Sequence, residues 1–298
     1  MSLNVNSESV MIDFLKYRLI CGIFSILIFV VTIGAYFYRG GFNYSVDFTG
    51  GTQILLKFSQ NVSSEKVKDV LKNQGYKGVD TREFSPSEVL VRVQDFSSDV
   101  TGVAEKIKNS LKEEFREGEI TILQTDGVGA GVGASLRLNS LKAILIALLL
   151  MLVYITLRFK FSFSVGAIVS LFHDAVVILA FFLVANKEIS MDVIAAILAI
   201  LGYSVNDTIV IYNQIRKNIS KMKGHSIEEI VNVSINQTLR RTILTSFATF
   251  LVVIALIAVG GEILRNLSLA LAVGIVFGTY SSIYIASPVM LMLYKGEK

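Results

Sequence analysis

Six apolar runs, each about long enough to cross a bilayer, constrain this chain more than any other feature. A spanning helix takes about 20 mostly apolar residues, and such runs occupy residues 19–37, 138–157, 163–185, 191–212, 242–259 and 267–293. With 53% hydrophobic and 17% charged residues and a mean hydropathy of +0.61, the chain is too apolar for an ordinary soluble protein of 298 residues. The first run is long and lacks a small-residue cleavage site, so it reads as a retained helix rather than a signal peptide. The sequence therefore predicts a polytopic α-helical membrane protein with six transmembrane helices.

Charge placement orients the helices. The net charge of +4 could hint at a nucleic-acid partner, but the basic residues cluster beside apolar runs rather than on one soluble face, so no nucleic acid is expected. Arg158 and Lys160, then Arg216, Lys217, Lys221, Lys223, Arg240 and Arg241, then Lys295 and Lys298 fall in alternate connections. Basic connections stay in the cytoplasm. That puts residues 1–18, the loop 213–241 and the tail 295–298 inside, and residues 38–137 outside. With no tryptophan in the chain, Tyr36, Tyr154, Tyr212 and Tyr294 are the expected interfacial anchors. The single cysteine, Cys21, excludes an intrachain disulfide and reads as a small packing residue.

Residues 38–137 change to a mixed-charge, soluble pattern. Strands are expected at 52–58, 79–84, 88–93 and 119–124, and amphipathic helices at 63–74 and 98–115. Ser64 and Ser98 offer N-caps, Gly75 and Gly118 helix stops, and Ser85, Pro86 and Ser87 a hairpin turn. The order β-α-β-β-α-β is that of an α+β ferredoxin-like domain, here extracytoplasmic between helices 1 and 2. It carries no metal-ligand cluster, nucleophile with base, or phosphate loop, so it reads as an interaction or substrate-handling domain rather than an enzyme, with no metal site.

Ionisable residues inside a bilayer are expensive, so they are the first places to look for function. His173 and Asp174 lie in the third run, Asn206 and Asp207 in the fourth, and Arg241 opens the fifth. Tyr203 and Ser204 precede Asp207 by four and three residues and share its helix face, which can bind water or a proton. The alternative for Asp207 is a neutral carboxyl bonded to a neighbouring helix. His173 and Asp174 point about 100° apart on a helix, so one of them can be a packing residue. Arg241 can equally be an ordinary flanking charge like Arg240. Thr242, Thr245, Ser246 and Thr249, with Gly274, Gly278 and Ser282, form small-residue stripes that read as packing seams. The polar stretch 216–240 suggests a short amphipathic helix along the inner membrane surface. Gly40, Gly41, Gly50 and Gly51 bracket Val46, Asp47, Phe48 and Thr49, where Asp47 is a turn residue or part of a hinge.

Residues 46–52 read VDFTGGT, residues 202–214 GYSVNDTIVIYNQ and residues 278–288 GTYSSIYIASP. These motifs resemble those of the SecF family of protein-export subunits, within the resistance-nodulation-division superfamily, and the resemblance covers nearly the whole chain. It implies a bacterial cytoplasmic-membrane protein that works with SecD, the SecYEG channel and a small accessory membrane subunit on unfolded exported polypeptides. Protons are then the coupling ion, with no other cofactor. By position it carries the family's proton pathway onto Asp207 and Arg241, with Asn206, His173 and Asp174 as further members, and the family's outer motif onto Asp47 to Gly51. Where many relatives have a proline before the second helix, this chain has Gly127, Gly129, Gly131 and Gly133 interleaved with Val128, Ala130 and Val132, which departs from the pattern and predicts a more flexible connection there. Competing readings are a small-molecule or lipid exporter of the same superfamily and, more remotely, an intramembrane aspartyl protease using Asp174 and Asp207.

Overall fold

The computed structural model describes residues 11–95, 99–115 and 120–294. Ser98, Gly118, Glu119, Lys295 and Lys298 lie outside the described residues. Helix α1 (Arg18–Arg39) is followed by a single turn α2 (Val46–Thr49) and the outer domain: β1 (Gly51–Phe58), α3 (Ser64–Asn73), β2 (Asp80–Ser85), β3 (Glu88–Val93), α4 (Val100–Glu114) and β4 (Ile120–Val128). Then come α5 (Ala130–Arg158), α6 (Phe161–Val184), α7 (Met191–Lys221), α8 (Ile227–Val259) and α9 (Gly261–Ser281). A π-helical turn (Ser282–Ala286) joins α9 to α10 (Ser287–Leu293). Six of these helical runs are long and apolar enough to cross a membrane.

The helix bundle is built inside out. Helices α6 and α7 form its centre, with Leu171, Ile178, Phe182, Val193 and Ile197 fully buried. The outer helices turn apolar side chains outward: Leu19 is 70% exposed, Leu149 59% and Phe247 57%. Such a surface is stable only against hydrocarbon or another apolar partner. Glycines set how closely the helices approach. A Cβ on Gly166 would stand 2.5 Å from the Ala286 carbonyl oxygen and from Tyr212 Oη, and one on Gly274 would stand 2.5 Å from Ile200 Cγ1. These contacts are open only to residues without a side chain.

The outer domain is a four-stranded antiparallel sheet in the order β2-β3-β1-β4. Its helices bury Val67, Leu71, Ala104, Ile107 and Leu111 against Ile54, Leu56, Val89 and Val91, a core separate from those of the bundle. Ser63, rather than Ser64, caps α3 by accepting from Glu65 N, and Asp99 caps α4 by accepting from Gly102 N. Past α3 the chain turns at Gly75, whose φ is +88°. Because this core is self-contained, a fragment of residues 51–128 is expected to fold alone and melt cooperatively. Within it, Leu56→Ala, at a fully buried position, should cost about 2–5 kcal/mol in denaturant titration.

Three expectations are corrected. The stretch 216–240 is not a separate surface helix: α7 runs on to Lys221, and α8 starts at Ile227 behind a capping box in which Glu229 N donates to Ser226 Oγ and Ser226 N to Glu229 Oε2, each at 3.2 Å. The two helices project past the apolar zone as a hairpin whose seam holds Asn218, Ser234 and Gln237, with Asn218 Nδ2 donating to the other two at 2.8 Å. Tyr212 is no interfacial anchor, since it is fully buried, donates to the Ala286 carbonyl at 3.0 Å and stands edge-on to Phe163. The glycine-rich stretch 127–133 is no slack linker, because β4 runs to Val128 and α5 begins at Ala130 with Gly129 between them.

Candidate functional site

Four helices bring a chain of polar side chains into the apolar bundle. From α6 come His173 and Asp174, from α7 Ser204 and Asp207, from α8 Ser246, and from α9 Thr279 and Ser281. Asp174 is fully buried and Asp207 is 4% exposed. An ionised, unpaired carboxylate in such a place costs several kcal/mol, so the donors around each carboxyl decide what it can do.

Asp174 accepts from Ser204 Oγ at 2.6 Å, and Ser281 stands against it with its hydroxyl also donating to the Gly278 carbonyl at 3.1 Å. Gly278 makes room for the pair: a Cβ there would fall 3.1 Å from Ser204 Oγ and 3.7 Å from Asp174 Oδ2. Ser282 donates to the Thr279 carbonyl at 2.9 Å where the π-helical turn begins. His173 Nδ1 lies 3.3 Å from Asp174 Oδ1, so the two neighbours do meet despite pointing apart on the helix. The imidazole lies near Phe29 and Tyr280, and its Nε2 is buried with no partner among the described residues.

Asp207 has a separate set of partners. Ser246 Oγ donates to its Oδ2 at 3.3 Å, and Thr279 Oγ1 donates to Ser246 Oγ at 2.8 Å, so α7, α8 and α9 are joined by one relay of hydroxyls. Thr208 Oγ1, next to Asp207, reaches the Ser204 carbonyl at 3.4 Å. Arg241 is exposed on α8 and acts on Asp207 by charge attraction, with no hydrogen bond between them among the described residues. Asn206 faces outward on α7. The stripe on α8 therefore divides: Ser246 belongs to the Asp207 relay, Thr245 and Thr249 bond their own helix carbonyls, and Thr242 Oγ1 is buried with no partner among the described residues. Ser246 and Gly278 are thus more than packing residues, and Thr279 and Ser281, which spacing alone did not single out, complete the arrangement. The residues of this chain can hold a proton on either carboxyl and stabilise its charge when the proton leaves.

At the outer end the bundle is tied to the β-domain. Ser190, ahead of α7, makes no side-chain cap; the cap comes instead from Asp47 in α2, whose Oδ2 accepts from Met191 N and Ser45 Oγ, each at 3.0 Å. Ser45 N donates to the Ile189 carbonyl at 3.0 Å and Ile189 N to the Asn43 carbonyl at 2.8 Å. Phe48 is buried in the bundle core. Gly50 and Gly51 have φ of +76° and +141°, and a Cβ on Gly133 of α5 would stand 2.8 Å from Gly50 N. The Asp47 to Gly51 segment is therefore a docked junction. Beside it Glu188, in the α6–α7 connection, accepts from Arg82 Nη2 of β2 and, at 3.2 Å, from Arg92 Nη1 of β3. Burial and the neighbouring Asp80 push the Glu188 carboxyl up to about 7, against the attraction of Arg82 and Arg92.

Residues 106–296 match the family described as "Protein export membrane protein SecD/SecF, C-terminal", and residues 40–62 match the SecD/SecF GG motif. The chain is 40% identical over 290 residues to the protein translocase subunit SecF of Thermodesulfovibrio yellowstonii, covering 96% of each chain. It is 36% identical over 268 residues to the protein translocase subunit SecDF of Thermus thermophilus, covering 90% of this chain and 36% of that one. The crystal structure of SecDF from that organism, a translocon-associated membrane protein, superposes with a TM-score of 0.82 at 35% identity over 95% of this chain and 39% of the other. Six apolar helices and these relatives make the protein a multi-pass membrane protein. The chain belongs to the SecD/SecF family of protein-export membrane proteins.

Proposed function

We propose that this chain is the SecF-type subunit of a bacterial Sec export machinery, and that with a SecD-type partner it uses the proton gradient to promote passage of unfolded secreted proteins through SecYEG. It is a transport subunit and not an enzyme. The observation that carries the reading is Asp207, buried among helices and bonded through Ser246 to Thr279. Such a carboxyl is held neutral when its cavity is dry and ionises when water or Arg241 approaches, so alternate exposure to the two sides moves a proton and repacks α7, α8 and α9. Asp174 with Ser204 and His173 offers a second proton-binding position on α6, and Asn206, on the outward face of α7, is suited to meet the partner bundle.

The relative that joins SecD and SecF names in one chain supports a SecD-type partner. The strand order β2-β3-β1-β4 with two helices on one face supports the ferredoxin-like reading of the outer domain. The basic connections support a cytoplasmic-membrane location with both termini inside and that domain outside. Extraction of the tagged chain in mild detergent is expected to bring down a SecD-like chain. Recovery of a lone subunit with full export activity would contradict the proposal. Thiol labelling should find cysteines introduced in residues 79–124 outside and one at Lys223 inside; an inside location for 79–124 would overturn the orientation.

A further inference from the structure

The turn between α5 and α6 gathers cations that the export reading leaves unused. Phe159, just past the end of α5, is buried, with Phe163 stacked on it at 5.9 Å and Tyr212 edge-on at 6.0 Å. Two guanidiniums approach this fixed ring: Arg158 with Cζ 5.7 Å from the centroid, and Arg216 of α7 with Cζ at 5.2 Å. Arg216 is tethered in place, Nη1 donating to the Arg158 carbonyl at 3.2 Å and Nη2 to Asn213 Oδ1 at 3.4 Å. Both arginines are exposed, and among the described residues neither has a carboxylate within 4 Å. The Arg158 guanidinium makes no hydrogen bond among those residues, so its donors remain available, as do those of Arg216 beyond the two in use. A third cation follows at Lys160, its Nζ 5.8 Å from the Tyr294 centroid.

The same corner is apolar toward the bilayer. Leu157 is 85% exposed and Phe161 67%, one on each side of the Arg158–Phe159 pair, and Val153 and Tyr154, about a turn back on α5, are exposed as well. In a membrane hydrocarbon covers such side chains, and the arginines stand where the two spanning helices leave it, at the depth of the headgroups. Like charges collected on one ring leave a positive field that the ring itself offsets only weakly where water reaches it. A group that fits must therefore be an anion with donors' worth of acceptor oxygens, attached to hydrocarbon.

We propose that Arg158 and Arg216 bind the phosphate of an anionic phospholipid, with an acyl chain against Leu157 and Val153, and that the bound headgroup fastens the α5–α6 turn to α7, the helix that carries Asp207. A guanidinium presents its donors in a fork that matches two phosphate oxygens, and the Phe159 ring and the Arg158 carbonyl hold the forks ready. A zwitterionic lipid carries the same phosphate beside a quaternary ammonium, which the cluster of cations repels, so the site selects for net negative charge. The site needs only that α5 and α6 span the bilayer, and it does not depend on the export reading.

The test is native mass spectrometry of the full detergent-solubilised chain, titrated with phosphatidylglycerol, with phosphatidylcholine, and with glycerol phosphate as the headgroup without its chains. One phosphatidylglycerol is expected to be retained in preference to phosphatidylcholine, and glycerol phosphate is expected not to be retained. Arg158→Gln takes no hydrogen bond from the fold, since only its backbone carbonyl is used, and should weaken phosphatidylglycerol binding about fivefold. Adding Arg216→Gln should bring the loss to about thirtyfold, and Lys223→Gln, an exposed cation between α7 and α8, should leave binding unchanged. Equal retention of the two lipids, an Arg158→Gln chain that binds as the wild type does, a loss as large in Lys223→Gln, or glycerol phosphate bound as tightly as the lipid would each overturn the site. No export component is present, so any of these results leaves the export reading standing.

Discussion

Cells carrying Asp207→Asn are expected to lose the gradient-dependent part of secretion, down to the level of cells lacking the chain, while the subunit accumulates and captures its partner normally. Asparagine keeps the size of the side chain and can still meet Ser246, which lies 3.3 Å from Oδ2, so packing among α7, α8 and α9 survives. What it cannot do is change charge, and the repacking depends on that change. Arg241→Met should act in the same direction by removing the attraction on the ionised carboxyl, whereas Arg240→Met, one position earlier on an exposed surface, should do little. Ser246→Ala removes one hydrogen bond of about 1 kcal/mol, which shifts the protonation balance less than tenfold and should slow export without stopping it. Pulse-labelled secretion of a reporter at matched subunit levels separates these outcomes; an Asp207→Asn strain that secretes at the wild-type rate would make the residue structural.

The second large effect is on folding. Gly51→Ala puts a methyl group at φ +141°, with its Cβ 2.2 Å from the Val93 carbonyl oxygen, where backbone on both sides is fixed in the β1–β3 pairing. Strain at such a φ and a clash with immobile backbone together cost on the order of 3 kcal/mol. Gly40→Ala is the control: its φ is +72° but a Cβ would meet nothing within 4 Å, so only the left-handed penalty of about 1–2 kcal/mol applies. Thermal unfolding of the detergent-solubilised chain, followed by circular dichroism, should therefore rank Gly51→Ala well below Gly40→Ala. Equal losses would mean that the second glycine of the pair is there for freedom of rotation alone.

The six helices were legible because the bilayer imposes one length and one composition on each. Their ends were not. Beyond the hydrocarbon a helix can continue with any amphipathic sequence, so residues 216–240 carry the pattern of a surface helix although they hold the end of α7 and the start of α8. The informative signal was the pair Ser226 and Glu229, a capping box three residues apart. Asp207 and Asp174 were found because buried carboxyls are costly, but their donors sit on other helices, and one sequence carries no register between helices. Ser246 and Thr279 are indistinguishable by spacing from Thr245 and Thr249, whose hydroxyls merely bond their own helix. The Glu188 contact with Arg82 and Arg92 joins residues about a hundred positions apart and had no local signature at all.

The claim that Asp207 carries the coupling proton is tested most directly by preprotein translocation into inverted membrane vesicles, with and without an imposed proton gradient, at equal subunit levels. The wild-type chain is expected to give a clear increment when the gradient is applied and Asp207→Asn none, with translocation in the absence of a gradient the same for both. A full increment with Asp207→Asn would contradict it.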